Sequence, residues 1–246
     1  MKAIQFFLLI SLFMLGCKDS AKEKNAESSK EPRSKLTSLP TGESKGIAET
    51  GGGELNIDGL TWDVNITAGT GGTADELIIG MPGSQAKELE GDLVIPDEID
   101  GIAVKVIGEG AFMGANKVTS VVLPVTTTRI GNAAFYNNTS LKNITIPDGV
   151  THIEDAAFYN CAAMEAIVIP ASVTSIGSRA FADCKNLGSI TFLGDPPQLN
   201  GELSQFDGVE QAWIYYDSDF ESWKEVGVLG NGERFANRPT RPIDKP

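Results

Sequence analysis

Few side chains in this sequence could carry out chemistry. The chain of 246 residues contains one histidine, His152, and three cysteines, Cys17, Cys161 and Cys184. A thiol beside an imidazole would make a nucleophile, and several such groups together would hold zinc. His152, however, precedes Ile153, which the apolar periodicity places inside, so we expect the imidazole to point to solvent. Two unmatched cysteines do not complete a metal site.

Other signatures of catalysis are also missing from the sequence. No serine or cysteine lies in a nucleophile elbow, and the glycines Gly69, Gly71 and Gly72 lack the lysine and helix that follow a phosphate loop. No acidic run has the spacing of a calcium loop. The sequence therefore predicts a protein that is not an enzyme, with no catalytic residues, no metal and no cofactor.

The third cysteine, Cys17, follows an apolar segment. Residues 4–16 are too few to span a membrane comfortably and are typical of a signal-peptide core. The segment Met14–Cys17 resembles the bacterial lipobox, in which a signal peptidase cuts before a cysteine that carries the lipid. The resemblance implies a signal peptide over 1–16, lipidation of Cys17, and contact with the membrane through this anchor only. A secretory signal with an incidental cysteine is the alternative.

The next segment has the composition of a tether. Residues 18–53 are rich in Lys, Glu, Ser and Gly and show no apolar periodicity, so they cannot bury enough apolar surface to offset the entropy of ordering. We predict that 17–54 is the lipidated cysteine followed by a disordered tether. The start of the mature chain, 17–19, resembles signals that send lipoproteins to the outer face of the outer membrane. The expected location is the cell envelope, in the outer membrane and on its surface, with a periplasmic orientation as the alternative.

The charge of the chain argues against nucleic acid as a partner. With 33 acidic and 20 basic residues, the formal net charge is −13. Nucleic-acid binding depends on neutralising phosphates with Lys and Arg. A solvated acidic surface explains this balance, and a basic or cation-bridged partner is the alternative.

A repeat of 23 residues organises the rest of the chain. Each unit contains an alanine followed by a phenylalanine, and an isoleucine lies five residues before that phenylalanine. These two columns are Phe112, Phe135, Phe158, Phe181 and Ile107, Ile130, Ile153, Ile176. Burying one large apolar side chain contributes about 1.5–3 kcal/mol, whereas ordering the backbone costs about 1–2 kcal/mol per residue, so a single unit cannot fold alone. The sequence therefore predicts a solenoid of mutually stabilising turns.

Each unit is predicted to be a short strand followed by a helical turn. Residues 141–146 have the pattern of such a strand, which Pro147 ends because proline cannot donate to the next ladder bond. Residues 155–158 then form the helical turn that returns the chain. We expect about four stacked units, mainly β, over 93–193, with an insertion near 98–101.

Caps are expected at both ends, because a terminal unit exposes unpaired backbone and apolar side chains. The N-terminal cap, 55–92, is predicted to contain a hairpin of strands 60–66 and 77–79. The C-terminal cap and tail, 194–246, should contain a last strand at 212–216 and a short helix that starts with a capping box at Ser218. Phe220, Trp223 and Val226 would share one face of this helix, and the tail from Arg234 should be extended.

The repeat also resembles a known family. The pattern Ile-Pro-x-x-Val-x-x-Ile-x-x-x-Ala-Phe-x-x-Cys-x-x-Met-x-x-Ile-x-Ile over 146–169 is similar to the BspA-type leucine-rich repeat of bacterial surface proteins. Ala115 and Asn138 replace the usual cysteine in earlier units. The resemblance implies a leucine-rich-repeat solenoid used in adhesion or partner binding, with no catalytic residues to transfer. The column that holds Cys161 and Cys184 therefore accepts small side chains, which favours buried free thiols over a disulfide between neighbouring turns.

The outward-facing strand positions are the first candidate binding surface. Repeat proteins present such residues to their partners. The candidates are Ser120, Val122, Asn143, Thr145, Ala166, Val168, Ser189 and Thr191. They are small or β-branched, so a smooth face of good strand formers is the structural alternative.

Aromatic residues form two further candidate surfaces. Tyr136 and Tyr159 recur at one-turn spacing and could bind a partner or pack on the returning turn. Trp213, Tyr215 and Trp223 would form a carbohydrate or peptide platform if exposed, although aromatics at this spacing are usually core.

Two functions remain open from sequence. The first is a cell-surface module that binds a protein or glycan, as in adhesion. The second is a structural spacer or assembly lipoprotein without a soluble ligand. An aromatic or polar cluster exposed across several turns would favour the first, and a smooth face with self-association through the caps would favour the second.

Overall fold

The computed structural model describes most of the chain beyond residue 50. The described ranges are 51–57, 60–67, 76–80, 86–99, 102–201, 204–226 and 234–243. They all lie within the larger of the two compact units into which the chain divides, 32–246. The predicted signal peptide, the lipidation site Cys17 and most of the predicted tether lie outside the described residues.

The fold is made of short strands. In chain order they are β1 (Gly51–Ile57), β2 (Leu60–Thr67), β3 (Glu76–Gly80), β4 (Glu90–Val94), β5 (Glu98–Ile99), β6 (Ile102–Ile107), β7 (Lys117–Val122), β8 (Arg129–Ile130), β9 (Asn143–Thr145), β10 (His152–Ile153), β11 (Ala166–Ile169), β12 (Ser175–Ile176), β13 (Ser189–Phe192), β14 (Gln198–Leu199), β15 (Trp213–Tyr216), β16 (Arg234–Phe235) and β17 (Arg238–Pro242). The helical elements in the described part are a 3-10 turn, Ala86–Glu88, and the α-helix α1, Ser222–Glu225.

The strands form a solenoid with sheets on two sides. One sheet has the order β1-β2-β3-β6-β8-β10-β12-β14, with β5 paired to β6. The other side holds β4-β7-β9 and then β11-β13-β15-β17-β16. From one turn to the next the strands run parallel and in register, as in Ile153 beside Ile176 and Ile167 beside Ile190. The solenoid expected from the sequence is confirmed.

The core between the sheets contains the predicted columns. Phe112, Phe135, Phe158 and Phe181 have no exposed surface, and neighbouring rings are 5.2–5.4 Å apart between centroids. The isoleucine column that begins at Ile107 is equally buried. The phenylalanine stack continues to Phe206, whose ring centroid is 5.7 Å from that of Phe181. This continuation was not predicted because Phe206 follows Phe181 by more than 23 residues.

The segments that were predicted as helical turns are not helical in the structure. In each unit two left-handed residues lie four positions apart, as at Ala156 (φ 53°) and Asn160 (φ 53°). The amides of Ala157 and Tyr159 donate within their own turn. The amides of Ala156 and Phe158 instead donate to the following turn, and that of Phe158 lies 2.7 Å from the carbonyl oxygen of Ala180. Because these amides bond between turns, they are not available for an intrahelical ladder.

The N-terminal cap contains the predicted hairpin and one additional strand. β2 pairs antiparallel with β3, and β3 then pairs in parallel with β6. β1 pairs antiparallel with β2 from Gly51 onwards, so residues 51–54, which were assigned to the tether 17–54, belong to a strand. The sequence did not reveal this strand because its glycines, residues 51–53, give no alternation of apolar and polar side chains. A ladder of backbone hydrogen bonds forms without such an alternation. The insertion near 98–101 forms the antiparallel pair β5–β6.

The C-terminal cap differs from the expectation in two respects. The helix α1 begins after Glu221, with no side-chain cap bond, so the capping box predicted at Ser218 is wrong. Instead, the side chain of Asp217 accepts a hydrogen bond from the amide of Asp219 (3.0 Å). Such a local side-chain-to-backbone bond forms a turn that competes with the start of a helix. Trp223 is buried, whereas Val226 is 48% exposed and leaves the predicted common face.

The tail adds a further rung to the solenoid. β16 and β17 form an antiparallel hairpin through the left-handed residues Ala236 and Asn237, the backbone geometry of a two-residue hairpin turn. β17 pairs in parallel with β15. The predicted strand at 212–216 is therefore present, but it is not the last strand.

Candidate binding face

The outward residues of β7, β9, β11 and β13 form the first candidate surface. Ser120 lies beside Asn143 and Val122 beside Thr145, while Ala166 lies beside Ser189. All eight predicted residues are exposed or half-buried: Ser120, Val122, Asn143, Thr145, Ala166, Val168, Ser189 and Thr191. They form two columns of small or β-branched side chains, and they make no deep recess.

The same two columns continue into aromatic residues on β15. Trp213 pairs with Ser189, and Tyr215 pairs with Thr191, so both half-buried side chains lie on the outward face. Their neighbours Ile214 and Tyr216 point into the core. Of the three residues in the predicted aromatic platform, two extend the strand face. Trp223 instead belongs to the core, and its indole N–H donates to the carbonyl of Gly194 (2.9 Å).

Arg241 completes this end of the face. It lies beside Tyr215 in the ladder, and its Cζ atom is 5.1 Å from the centroid of the Trp213 ring, within the range of a cation–π contact. Sequence reasoning missed Arg241 because Pro239 and Pro242 hide the alternation of β17. Trp213, Tyr215 and Arg241 are called the aromatic–arginine cluster below.

An acidic residue lies at the opposite end of the face. One carboxylate oxygen of Asp92 accepts hydrogen bonds from Ser120 (2.6 Å) and Thr119 (3.0 Å). The two bonds lower the pKa of Asp92 because they favour the charged carboxylate, and the bond from Ser120 has the larger effect. The face therefore runs from a carboxylate, through small neutral side chains, to a guanidinium.

The tyrosine column lies on the turns and not on the strand face. The rings of Tyr136 and Tyr159 are stacked, with centroids 4.8 Å apart and planes 9° apart. Tyr159 donates from its hydroxyl to Asp183 (2.5 Å). This hydrogen bond is the main cause of a raised pKa at Tyr159, and burial adds to it. Because the two rings cover each other, this column is better suited to packing than to stacking on a sugar.

The potentially reactive side chains are not assembled into a reaction centre. His152 is exposed on β10, as predicted, with Nδ1 2.8 Å from the hydroxyl oxygen of Thr151. Cys161 and Cys184 are buried and free, and their thiols donate to the carbonyls of Phe135 and Phe158, respectively. Burial raises the pKa of Cys161 well above its usual value, and its hydrogen bond with Cys184 adds to this effect.

The described residues contain neither a metal-binding cluster nor a membrane-spanning helix. No group of three or more His, Cys, Asp or Glu side chains in this part of the chain could hold a metal ion. The helices described there are also too short or too polar to cross a membrane.

The comparisons with known proteins agree with this geometry. Residues 105–202 match the BspA type leucine rich repeat region in six copies. This match confirms the resemblance of the repeat region to the BspA-type leucine-rich repeat. The six copies correct the expected number of about four units.

Solved structures share this repeat fold. A leucine-rich repeat protein of T. pallidum, TpLRR, is 26% identical over 62% of this chain and 68% of its own, with a TM-score of 0.52. A leucine-rich cell surface protein of Faecalibacterium prausnitzii is 21% identical over 72% of this chain, with a TM-score of 0.53. The second match spans 43% of that longer protein, and its low identity shows the fold alone. No curated protein matches the chain.

Proposed function

We propose that this protein is a lipid-anchored protein of the cell envelope that displays its solenoid to bind a protein or a glycan, as in adhesion, and that it carries out no catalysis. The observation that carries the proposal is the outward strand face with the aromatic–arginine cluster at one end. Trp, Tyr and Arg are the residue types that most often dominate binding energy. Here all three meet on one exposed surface.

The lipobox-like segment supports the proposed location. A lipid on Cys17 would hold the chain at the membrane, and more than thirty residues lie between that residue and β1. A flexible segment of this length spans tens of ångströms. The folded part would then stand clear of the membrane, with its face free for a partner.

Site-specific photo-crosslinking in intact cells tests the proposed face. A photoreactive phenylalanine replaces Asn143 or Thr191 on the strand face. In matched control variants it replaces His152 or Gln198 on the opposite sheet. We expect adducts with another protein or a glycoconjugate from the first two positions and none from the controls. Whole-cell protease treatment in the same cells should cleave the folded part.

Other outcomes would contradict the proposal in separate ways. Equal adducts from both sheets would show that the strand face is not special. Adducts with copies of this chain alone would favour the spacer or assembly role. Protection of the folded part from protease would remove surface display, and Cys17→Ser protein that still partitions with detergent would remove the lipid anchor.

A further inference from the structure

Arg241 is an exposed cation without an acidic partner among the described residues. Its guanidinium instead contacts the Trp213 ring, with Cζ 5.1 Å from the ring centroid. This is unusual in a chain with 33 acidic and 20 basic residues, where carboxylates are plentiful. The indole holds the guanidinium at the surface while leaving its N–H donors free for another acceptor.

Three of the other four arginines in the described part are already engaged, and the fourth, Arg179, lies on a turn and not on the strand face. Arg129, on the opposite sheet, forms an ion pair with Glu154 at 3.2 Å. Arg234 donates to the carbonyl of Asn237, and the buried Arg238 donates to the carbonyl of Phe206. Arg241 differs from them because it lies on the strand face, beside Tyr215.

We propose that the aromatic–arginine cluster binds an acidic segment of a partner polypeptide. A carboxylate of that segment pairs with the Arg241 guanidinium, which matches a carboxylate with two parallel hydrogen bonds. An apolar side chain next to it packs against Trp213 and Tyr215. This inference rests on the proposed function and specifies its ligand.

The surroundings of the cluster favour a polypeptide over a sugar. A sugar ring would need an open aromatic face, and Arg241 covers one face of Trp213. The residues towards the middle of the sheet, Ala166, Ser189 and Thr191, are small or β-branched, and they leave room for a partner backbone to lie flat. A single guanidinium among the described residues of this face, on a chain of net charge −13, is also too little to hold a nucleic-acid backbone.

The proposed acidic segment is opposite in charge to Arg241, but it has the same sign as the net charge of the chain, −13. At physiological salt the screening length is about 8 Å, so distant carboxylates weaken binding less than the direct ion pair strengthens it. We therefore expect the pair to set specificity, with a short acidic stretch preferred over a strongly acidic one.

A random peptide library on phage, selected against the full chain in detergent micelles, tests the inference. Enriched peptides should carry Asp or Glu next to an apolar residue. Synthetic copies are then measured by fluorescence anisotropy against the parent chain, Arg241→Ala and Arg129→Ala. We expect Arg241→Ala to weaken binding by about tenfold or more. Arg129→Ala removes the same charge from the other sheet and should change the affinity by less than about twofold.

Matched peptides with the acid replaced by its amide complete a double-mutant cycle. The amide change should weaken binding to the parent chain but have little further effect on Arg241→Ala. The inference would be overturned if the amide change weakened binding to the parent chain and to Arg241→Ala by the same factor. It would also be overturned if the enriched peptides lacked acidic residues, or if no peptide was enriched. Arg241-dependent binding to heparin without peptide binding would assign the cluster to sulfated glycans instead. In each case, crosslinks from Asn143 or Thr191 would leave the proposed function standing.

Discussion

The rings of Phe135 and Phe158 are parallel to within 1°, with centroids 5.4 Å apart. Equivalent residues of adjacent turns are thus superimposed almost without rotation. Since Phe158 also stacks on Phe181 at 5.2 Å, each ring contributes to the stability of both neighbouring turns. Contacts between turns therefore contribute to holding the fold together, as expected for a solenoid.

Phe158→Ala should lower the free energy of unfolding by about 3–5 kcal/mol, because it removes a fully buried ring and opens a cavity between two turns. Chemical denaturation followed by circular dichroism measures the loss. Val168→Ala, at a site 44% exposed on the strand face, is the control and should cost less than about 1 kcal/mol. A loss below about 1 kcal/mol for Phe158→Ala would show that the stack is not the core.

Gly110→Ala and Ala156→Gly should change stability in opposite directions. Both residues belong to the same left-handed column, with φ of 60° and 53°. An added Cβ at Gly110 meets no atom within 4 Å, so the substitution reports backbone strain alone. We expect Gly110→Ala to destabilise by about 1 kcal/mol and Ala156→Gly to stabilise by a few tenths up to about 1 kcal/mol. A shift of the same sign in both variants would contradict the left-handed assignment.

Tyr159 should titrate at a higher pH than an ordinary tyrosine. Its neutral hydroxyl donates to Asp183, and the hydrogen bond exists only in the protonated form. The stability it contributes is therefore fully present below the ordinary tyrosine pKa of 10.0 and is lost as the pH rises through the higher folded value. Absorbance at the tyrosinate band should show a late step that Tyr159→Phe removes. If Tyr136→Phe removed that step instead, the assignment would be wrong.

The two buried thiols should be unreactive in the folded protein. Cys161 and Cys184 have no exposed surface, and burial raises the pKa of Cys161, so little nucleophilic thiolate forms. In a Cys17→Ser variant, Ellman's reagent should detect no thiol before denaturation and two per chain after it. Rapid reaction of the native protein would show that the column opens. Absence of thiols after denaturation without reductant would show a disulfide.

The sequence by itself predicted the parts of the fold that depend on side-chain type. Phe112, Ile153 and Ile167 are buried as the 23-residue period required, because each unit places its apolar residues on the same side as the last. The strand face also followed from this alternation, and Ser189 and Thr191 lie on it as expected.

The features that the sequence could not determine are made by the backbone or by contacts between distant segments. Two-residue strands such as β10 have no periodicity to detect, and they form because amides and carbonyls of adjacent turns meet. β1 is set by pairing of glycines with β2.

The candidate site also combines features that the sequence predicted with features that only the tertiary structure decided. Periodicity located the strand face, and Trp213 and Tyr215 were recognised as aromatic candidates, but only the tertiary structure decided that both are outward while Trp223 is buried. Arg241 reaches Trp213 because β17 folds back beside β15. Register between segments separated in sequence is decided by the whole assembly, whereas the residue types that make a core or a strand are already fixed in the sequence.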